Sequence, residues 1–219
     1  MALQGFNSGV IRCGSALVAA APLTMACWGY NSSFATGNGC LGVVCASAGD
    51  HDRQLFKLTT GSTGTIIARV GDGAGSDAAT TTAGAADSTW FHAAMVIESA
   101  TMRAAFLNGG NKGTNAASRV PSGIDRVSFG RQDNASVAPQ VWGLGVSTAY
   151  MAEMALWNIA LTDEDVAALA KGFSPRLVRP NALVAYLPGI RDLRDVRGSA
   201  FTISGSLTAA DHCRIVNAA

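Results

Sequence analysis

Charge is scarce in this sequence of 219 residues: 14% of the positions are Asp, Glu, Lys or Arg, against a typical quarter. The 16 basic and 15 acidic residues leave a formal net charge of +1. Nucleic-acid binding, an acidic tail and a polybasic membrane patch all need clustered charge, so this composition argues against each of them. Glu, Lys and His are represented by three residues each, and aromatics make up only 7%. No apolar run reaches the ~18 residues that span a bilayer. The nearest, Ala16 to Trp28, is broken by Pro22 and Thr24. With Arg12 ahead of it, that run imitates a secretory leader. From Pro22 onward it reads better as a buried strand, and the expectation is a protein made in the cytoplasm without a signal peptide. Cysteines number five, with no CxxC pair. Cys40 and Cys45 alone fall short of a zinc ligand set, so free thiols are expected, with Cys27 as a small core residue and a Cys40 to Cys45 disulfide left open.

What is present in quantity is small: 39 Ala and 25 Gly inflate a hydrophobic fraction of 48% without adding bulk. Gly, Ser, Thr and Asn recur every eight to twelve residues between short apolar runs, as in an all-β sandwich. Expected strands are Leu23 to Tyr30, Gly42 to Ala46, Gln54 to Thr59, Thr65 to Val70, Trp90 to Ile97, Met102 to Leu107, Arg126 to Phe129 and Tyr150 to Trp157. In the fifth, alternation places Phe91, Ala93, Met95 and Ile97 on one face and Trp90, His92, Ala94 and Val96 on the other. Both faces are largely apolar. Trp28, Trp90 and Trp157 are expected in the core, and His92 as a packed histidine. Asn108-Gly109-Gly110 is a strong turn signal, because Asn and Gly accept positive φ.

One helix is predicted near residues 163–171. Thr162 suits the N-cap, and Asp163, Glu164 and Asp165 favour the positive end of the dipole. Val166, Leu169 and Ala170 form an apolar stripe, and Gly172 fits the C′ position. Capping explains the acidic triplet more simply than a metal or acid/base cluster does. Ser174-Pro175 and Arg179-Pro180 bracket an extended linker. Strands at 182–187 and 200–204 follow, with no composition shift. A single domain over 1–219 is expected, the N-terminal segment and these late strands completing the sheets.

The blocks LTMACWGY, TWFHAAMVIES, AAFLNGG, VSFGR and AEMALWNIALTDEDVAALAKG, in that order, resemble the laminin-G-like, concanavalin-A-like lectin superfamily. The similarity covers roughly residues 20 to 175, and the strand, Trp157-Asn158, Leu161-Thr162 and helix make its last block the most specific. The resemblance implies an antiparallel β-sandwich jelly roll with one short helix. The tail, FSPRLVRPNALVAYLPG through ADHCRIV, resembles the ending of Ala- and Gly-rich versions carried by bacteriophage and bacterial surface-associated proteins.

Related folds include retaining glycosidases, whose two carboxylates stand ~5 Å apart, usually on alternate residues of one strand. Here Glu98, Glu153 and Glu164 fall in three separate elements. No nucleophile turn accompanies His51, His92 or His212. The run Gly71 to Asp77 lacks the Lys-Ser/Thr of a phosphate loop and has two carboxylates only. The resemblance allows one calcium ion at the rim, with Asp72, Asp77, Asn108 and Asp133 as the loop oxygens to test. Trp142, in VWGLG, is the best-placed aromatic for a sugar face, with Asn108 as a polar companion.

The leading expectation is therefore a non-enzymatic module of a phage virion surface, a capsid decoration or a tail or fibre component. It would act through contacts with virion proteins and copies of itself as a homo-oligomer, without nucleic acid or membrane insertion. The alternative is a lectin-like module that binds cell-surface glycan for host attachment, with calcium as an optional ion. A glycoside hydrolase ranks third.

Overall fold

The computed structural model describes residues 2–6, 9–35, 39–47, 54–132, 148–189 and 195–211. Fifteen strands and one α-helix occur among them, in the order β1 (Ala2–Gln4), β2 (Val10–Cys13), β3 (Leu23–Asn31), β4 (Gly39–Ala46), β5 (Gln54–Thr60), β6 (Thr65–Asp72), β7 (Ser76–Gly84), β8 (Thr89–Ser99), β9 (Met102–Leu107), β10 (Gly110–Asn115), β11 (Ile124–Phe129), β12 (Ala149–Trp157), α1 (Asp163–Ala170), β13 (Leu183–Leu187), β14 (Thr202–Ser204) and β15 (Thr208–Ala210). Two short 3-10 turns, Pro175–Leu177 and Pro180–Ala182, lie between α1 and β13.

Two antiparallel sheets form the sandwich. The first runs β10-β9-β8-β3-β12-β1-β15 and the second β14-β2-β11-β4-β5-β6-β7. Strand β12 shares one edge between two partners: β1 takes Tyr150 and Met151, while β13 takes Met154 to Trp157. The N-terminus and the late strands thus complete both sheets, β1 and β13 beside β12 and β14 beside β2.

Period-2 alternation decides what faces inward. Leu23, Met25 and Cys27 of β3, and Phe91, Ala93, Met95 and Ile97 of β8, meet Leu41, Val44, Phe56 and Leu58 of the second sheet in the main core. The opposite face of β8 is apolar for another reason. Ala94 and Val96, with Ala26, Phe106 and Trp157, form a second cluster under Val166 and Leu169 of the helix. The first sheet is therefore covered inside by a sheet and outside, over part of its length, by α1.

The helix starts as its sequence requires. Thr162 Oγ1 accepts from the Asp165 N–H at 3.2 Å, and the Asp165 carboxylate accepts from the Thr162 N–H at 3.2 Å, a reciprocal capping box. The chain leaves the helix through Gly172 at φ +90°. The Asn108-Gly109 turn supports it from below. Both residues have positive φ, and a Cβ on Gly109 would lie 2.9 Å from Ala167 Cα. Cys13, Cys27, Cys40 and Cys45 are buried free thiols. No helix among the described residues is long and apolar enough to cross a membrane.

Three expectations need correction. The Gly71 to Asp77 run is not an open loop but the tight end of a hairpin, with β6 running to Asp72 and β7 starting at Ser76. Strand β7 itself, SDAATTTAG, has too little apolar content to stand out in sequence. Its place at a sheet edge explains this, since edge strands pair by backbone and remain polar. Trp28 and Trp90 are half-buried on the outer face of the first sheet, and among the described tryptophans only Trp157 lies in the core.

Candidate functional site

Asp72 and Asp77 flank the β6–β7 turn, and a cation already stands between them. Arg119, in the segment after β10, places Nε 2.6 Å from Asp77 and Nη1 3.3 Å from Asp72. Asp72 also accepts the N–H groups of Ala74 and Gly75, at 3.2 and 3.1 Å. Desolvation alone would raise the Asp72 carboxyl, but the Gly75 N–H, the Arg119 charge and further backbone N–H groups outweigh it and hold the group below the usual carboxylate range. Arg119 is pushed above its ordinary value, first by its hydrogen bond to Asp77. The backbone N–H of Arg119 reaches the Ala100 carbonyl at 3.0 Å, so this pair ties the β6–β7 turn to the β8–β9 turn.

Asn108 stands at the other end of β9. Its Oδ1 accepts the His92 N–H at 2.8 Å, which occupies the oxygen that a ligand would need. Asp72 and Asp77 are thus brought together and Asn108 is not among them. Trp142 and Asp133 lie outside the described residues. Among the described residues, no group of three or more His, Cys, Asp or Glu side chains is placed to hold a metal ion. With Arg119 as the counter-charge, these residues do not fit a calcium ion.

The outer face of the first sheet carries a different arrangement. Strand register aligns Thr208 of β15, Gln4 of β1, Tyr150 of β12, Tyr30 of β3 and Trp90 of β8 in one row across five strands. Paired residues of neighbouring antiparallel strands point to the same side, so these side chains share a face. Tyr30 stacks on Tyr150 with centroids 5.1 Å apart and 29° between planes, and Trp90 lies 5.9 Å from Tyr30 and 6.1 Å from Tyr150. The next row holds Ala152, Trp28 and His92, again paired in register. Trp28, Trp90 and Tyr150 lean over the fully buried Ala2 and Ala152, whose methyl groups leave room for the rings. Two of the four tryptophans and two of the three tyrosines of the chain are half-buried in this one patch.

A buried polar group closes the patch on the helix side. Tyr186 donates its hydroxyl to Glu153 at 2.5 Å, and the Ser174 hydroxyl donates to Tyr186 at 3.4 Å. Burial, then the Glu153 charge, raises the Tyr186 phenol above its ordinary value. His92 is 2% exposed, lies edge-on to Trp28 at 5.6 Å, and its Nδ1 has no hydrogen-bond partner. Burial pushes this imidazole down to about 3, so it is neutral at physiological pH.

The patch is hidden in the sequence because both faces of the Trp90 to Ile97 run are largely apolar, which points Trp28 and Trp90 to the core. The alternation contained the signal. Trp28 and Tyr30 sit opposite in phase to Met25 and Cys27, and a two-layer sandwich gives each sheet only one inner face.

Comparison with known proteins agrees with the sandwich fold. The family described as the concanavalin A-like lectin/glucanases superfamily, laminin G type, matches residues 5–167. The chain belongs to that family. Among solved structures it is similar to a heptameric SAP-like pentraxin from Limulus polyphemus, with 17% identity over 91% of this chain and 87% of the other and a TM-score of 0.62. It is also similar to the Ruminococcus gnavus IT-sialidase CBM40 bound to α2,3-sialyllactose (16% identity, 69% and 84% covered, TM-score 0.57). A third is domain 4 of AbnA, an extracellular GH43 arabinanase from Geobacillus stearothermophilus, in complex with arabinotriose (16%, 73% and 71%, TM-score 0.56). At such identities these likenesses show the fold alone. No curated protein matches the sequence.

Proposed function

We propose that the protein is a non-enzymatic carbohydrate-binding module that holds glycan on the outer face of its first sheet. The row of Tyr150, Tyr30 and Trp90, with Trp28 beside it, carries this reading. Half-exposed aromatic rings give apolar contact to sugar C–H groups, while the hydroxyl and indole N–H edges and the neighbouring Gln4 and Thr208 supply hydrogen bonds. Two of the structurally similar proteins hold a saccharide, α2,3-sialyllactose on a CBM40 and arabinotriose on domain 4 of an arabinanase, which supports the class.

The carboxylates argue in the same direction. Glu98 and Glu164 are exposed, and Glu153 is committed to Tyr186. The carboxylate pair that a retaining glycosidase sets on alternate residues of one strand has no counterpart on β12, where Met151 and Ala155 stand two positions to either side of Glu153. Because Arg119 takes the place of a rim cation, binding requires no calcium. A glycan array with and without chelator tests this: retention of the same glycans in chelator is expected, and loss of all binding in chelator would overturn the calcium-free form of the reading.

Assembly on a phage particle, as a capsid decoration or a tail or fibre component, is a second reading. Phe173 and Leu177, exposed at 41% and 48% on either side of the Ser174-Pro175 turn, favour a protein contact there on a surface otherwise poor in charge.

A further inference from the structure

A groove of about 430 Å³ opens on the outer face of the first sheet at the β9–β10 edge, away from the aromatic row and beside the start of α1. Its size falls within the range of small-molecule sites. Val96, Met102, Ala104 and Phe106 of β8 and β9 face Ala160 and Leu161 of the connector to the helix, so the floor and one wall are apolar. Met102 is 41% exposed in it, unusual for a large apolar side chain in this protein.

The rim is charged, and mostly of one sign. Glu98, Asp163 and Glu164 contribute three carboxylates against the single ammonium of Lys112. Arg103 also borders the floor, but on β9 it is in phase with the inward-facing Ala105 and Leu107, and its guanidinium donates to the carbonyls of Ala100 and Ala117. Lys112 Nζ lies 2.8 Å from Asp163 and 5.2 Å from the centroid of the Phe106 ring. The groove thus already seats one ammonium on an aromatic face beside a carboxylate, the pairing that recognises organic cations. Glu98 and Glu164 have no cationic partner among the described residues.

We propose that this groove binds a small amphipathic organic cation, a protonated amine carried on an apolar body. The apolar part lies on Met102, Ala104 and Val96, and the ammonium stands between Glu98 and Glu164. Capping explains Asp163 and Asp165 in the helix start; it does not explain Glu98, which comes from β8, nor an apolar trough open to water beside them. This site is separate from the proposed glycan face and does not depend on it.

The test is an NMR titration of the whole chain with n-hexylammonium, using 1-hexanol and hexanoate as probes of the same length with neutral and negative heads. Saturable shifts at Met102, Phe106, Leu161 and Thr162 are expected for the amine, with hexanol at least about tenfold weaker and hexanoate without saturation. Glu98→Gln combined with Glu164→Gln, both at exposed positions that leave the fold intact, should weaken the amine about tenfold. Lys112→Met, which frees the Phe106 face, should strengthen it. Equal affinity for amine and hexanol, or amine shifts absent from the groove, would overturn the proposal.

Discussion

Arg119 illustrates how one side chain changes the meaning of two others. Asp72 and Asp77 in a Gly-rich turn resemble metal ligands in sequence, yet 47 and 42 residues further on a guanidinium enters and takes both. The wild-type protein should therefore melt at the same temperature with calcium or with chelator. Arg119→Ala leaves two neighbouring carboxylates uncompensated, so its melting temperature should fall and added calcium should recover part of the loss. A wild type that melts lower in chelator would contradict the assignment. His92 gives the second residue-scale prediction. The folded chain refuses this proton down to about pH 3, whereas the unfolded chain accepts it near pH 6.5. In that interval the unfolded state binds more protons, so stability falls as pH drops, at about 1.4 kcal/mol per pH unit from this one group. Urea unfolding near pH 7 and near pH 5 should show the fall, and His92→Gln should remove that share of it. An unchanged slope in the variant would assign the acid sensitivity elsewhere.

At the scale of elements, what was legible follows burial. Met102–Leu107 is read at its observed bounds, and β3, β5, β8 and β12 within one or two residues of theirs, because each sets bulky apolar side chains at period two. The helix was legible through its caps, with Thr162 and Gly172 marking the two ends. Strands β7 and β10, both edge strands built from Ser, Asp, Thr, Ala, Gly, Asn and Lys, were not. Their stability comes from backbone pairing and from meeting one another where the two sheets close. Gly113 marks that contact: a Cβ there would overlap the Thr80 carbonyl oxygen, which belongs to a paired strand and cannot step aside. Gly113→Ala should cost about 2 kcal/mol or more, read from chemical unfolding, whereas Gly110→Ala, with open space at its Cβ, should cost far less. Equal losses would show that the β7–β10 approach is looser than the geometry states.

For the whole molecule, low charge and many small residues are compatible with a surface covered by protein. The sandwich changes that emphasis. Its aromatic residues are few, and four of them are spent on one outer face instead of the core. The sandwich class was legible because a two-sheet core imposes alternation along every long strand. The site was not, because Thr208, Gln4, Tyr150, Tyr30 and Trp90 are spread over most of the chain and become a row only through strand register. The central claim is that this row binds sugar. Isothermal titration of the strongest array glycan into the wild type and into Trp90→Ala, each first shown to be folded by its melting curve, tests it most directly. The account predicts at least about tenfold weaker binding for the variant. Unchanged affinity in Trp90→Ala, or a folded wild type that binds no glycan and only self-associates, would contradict it.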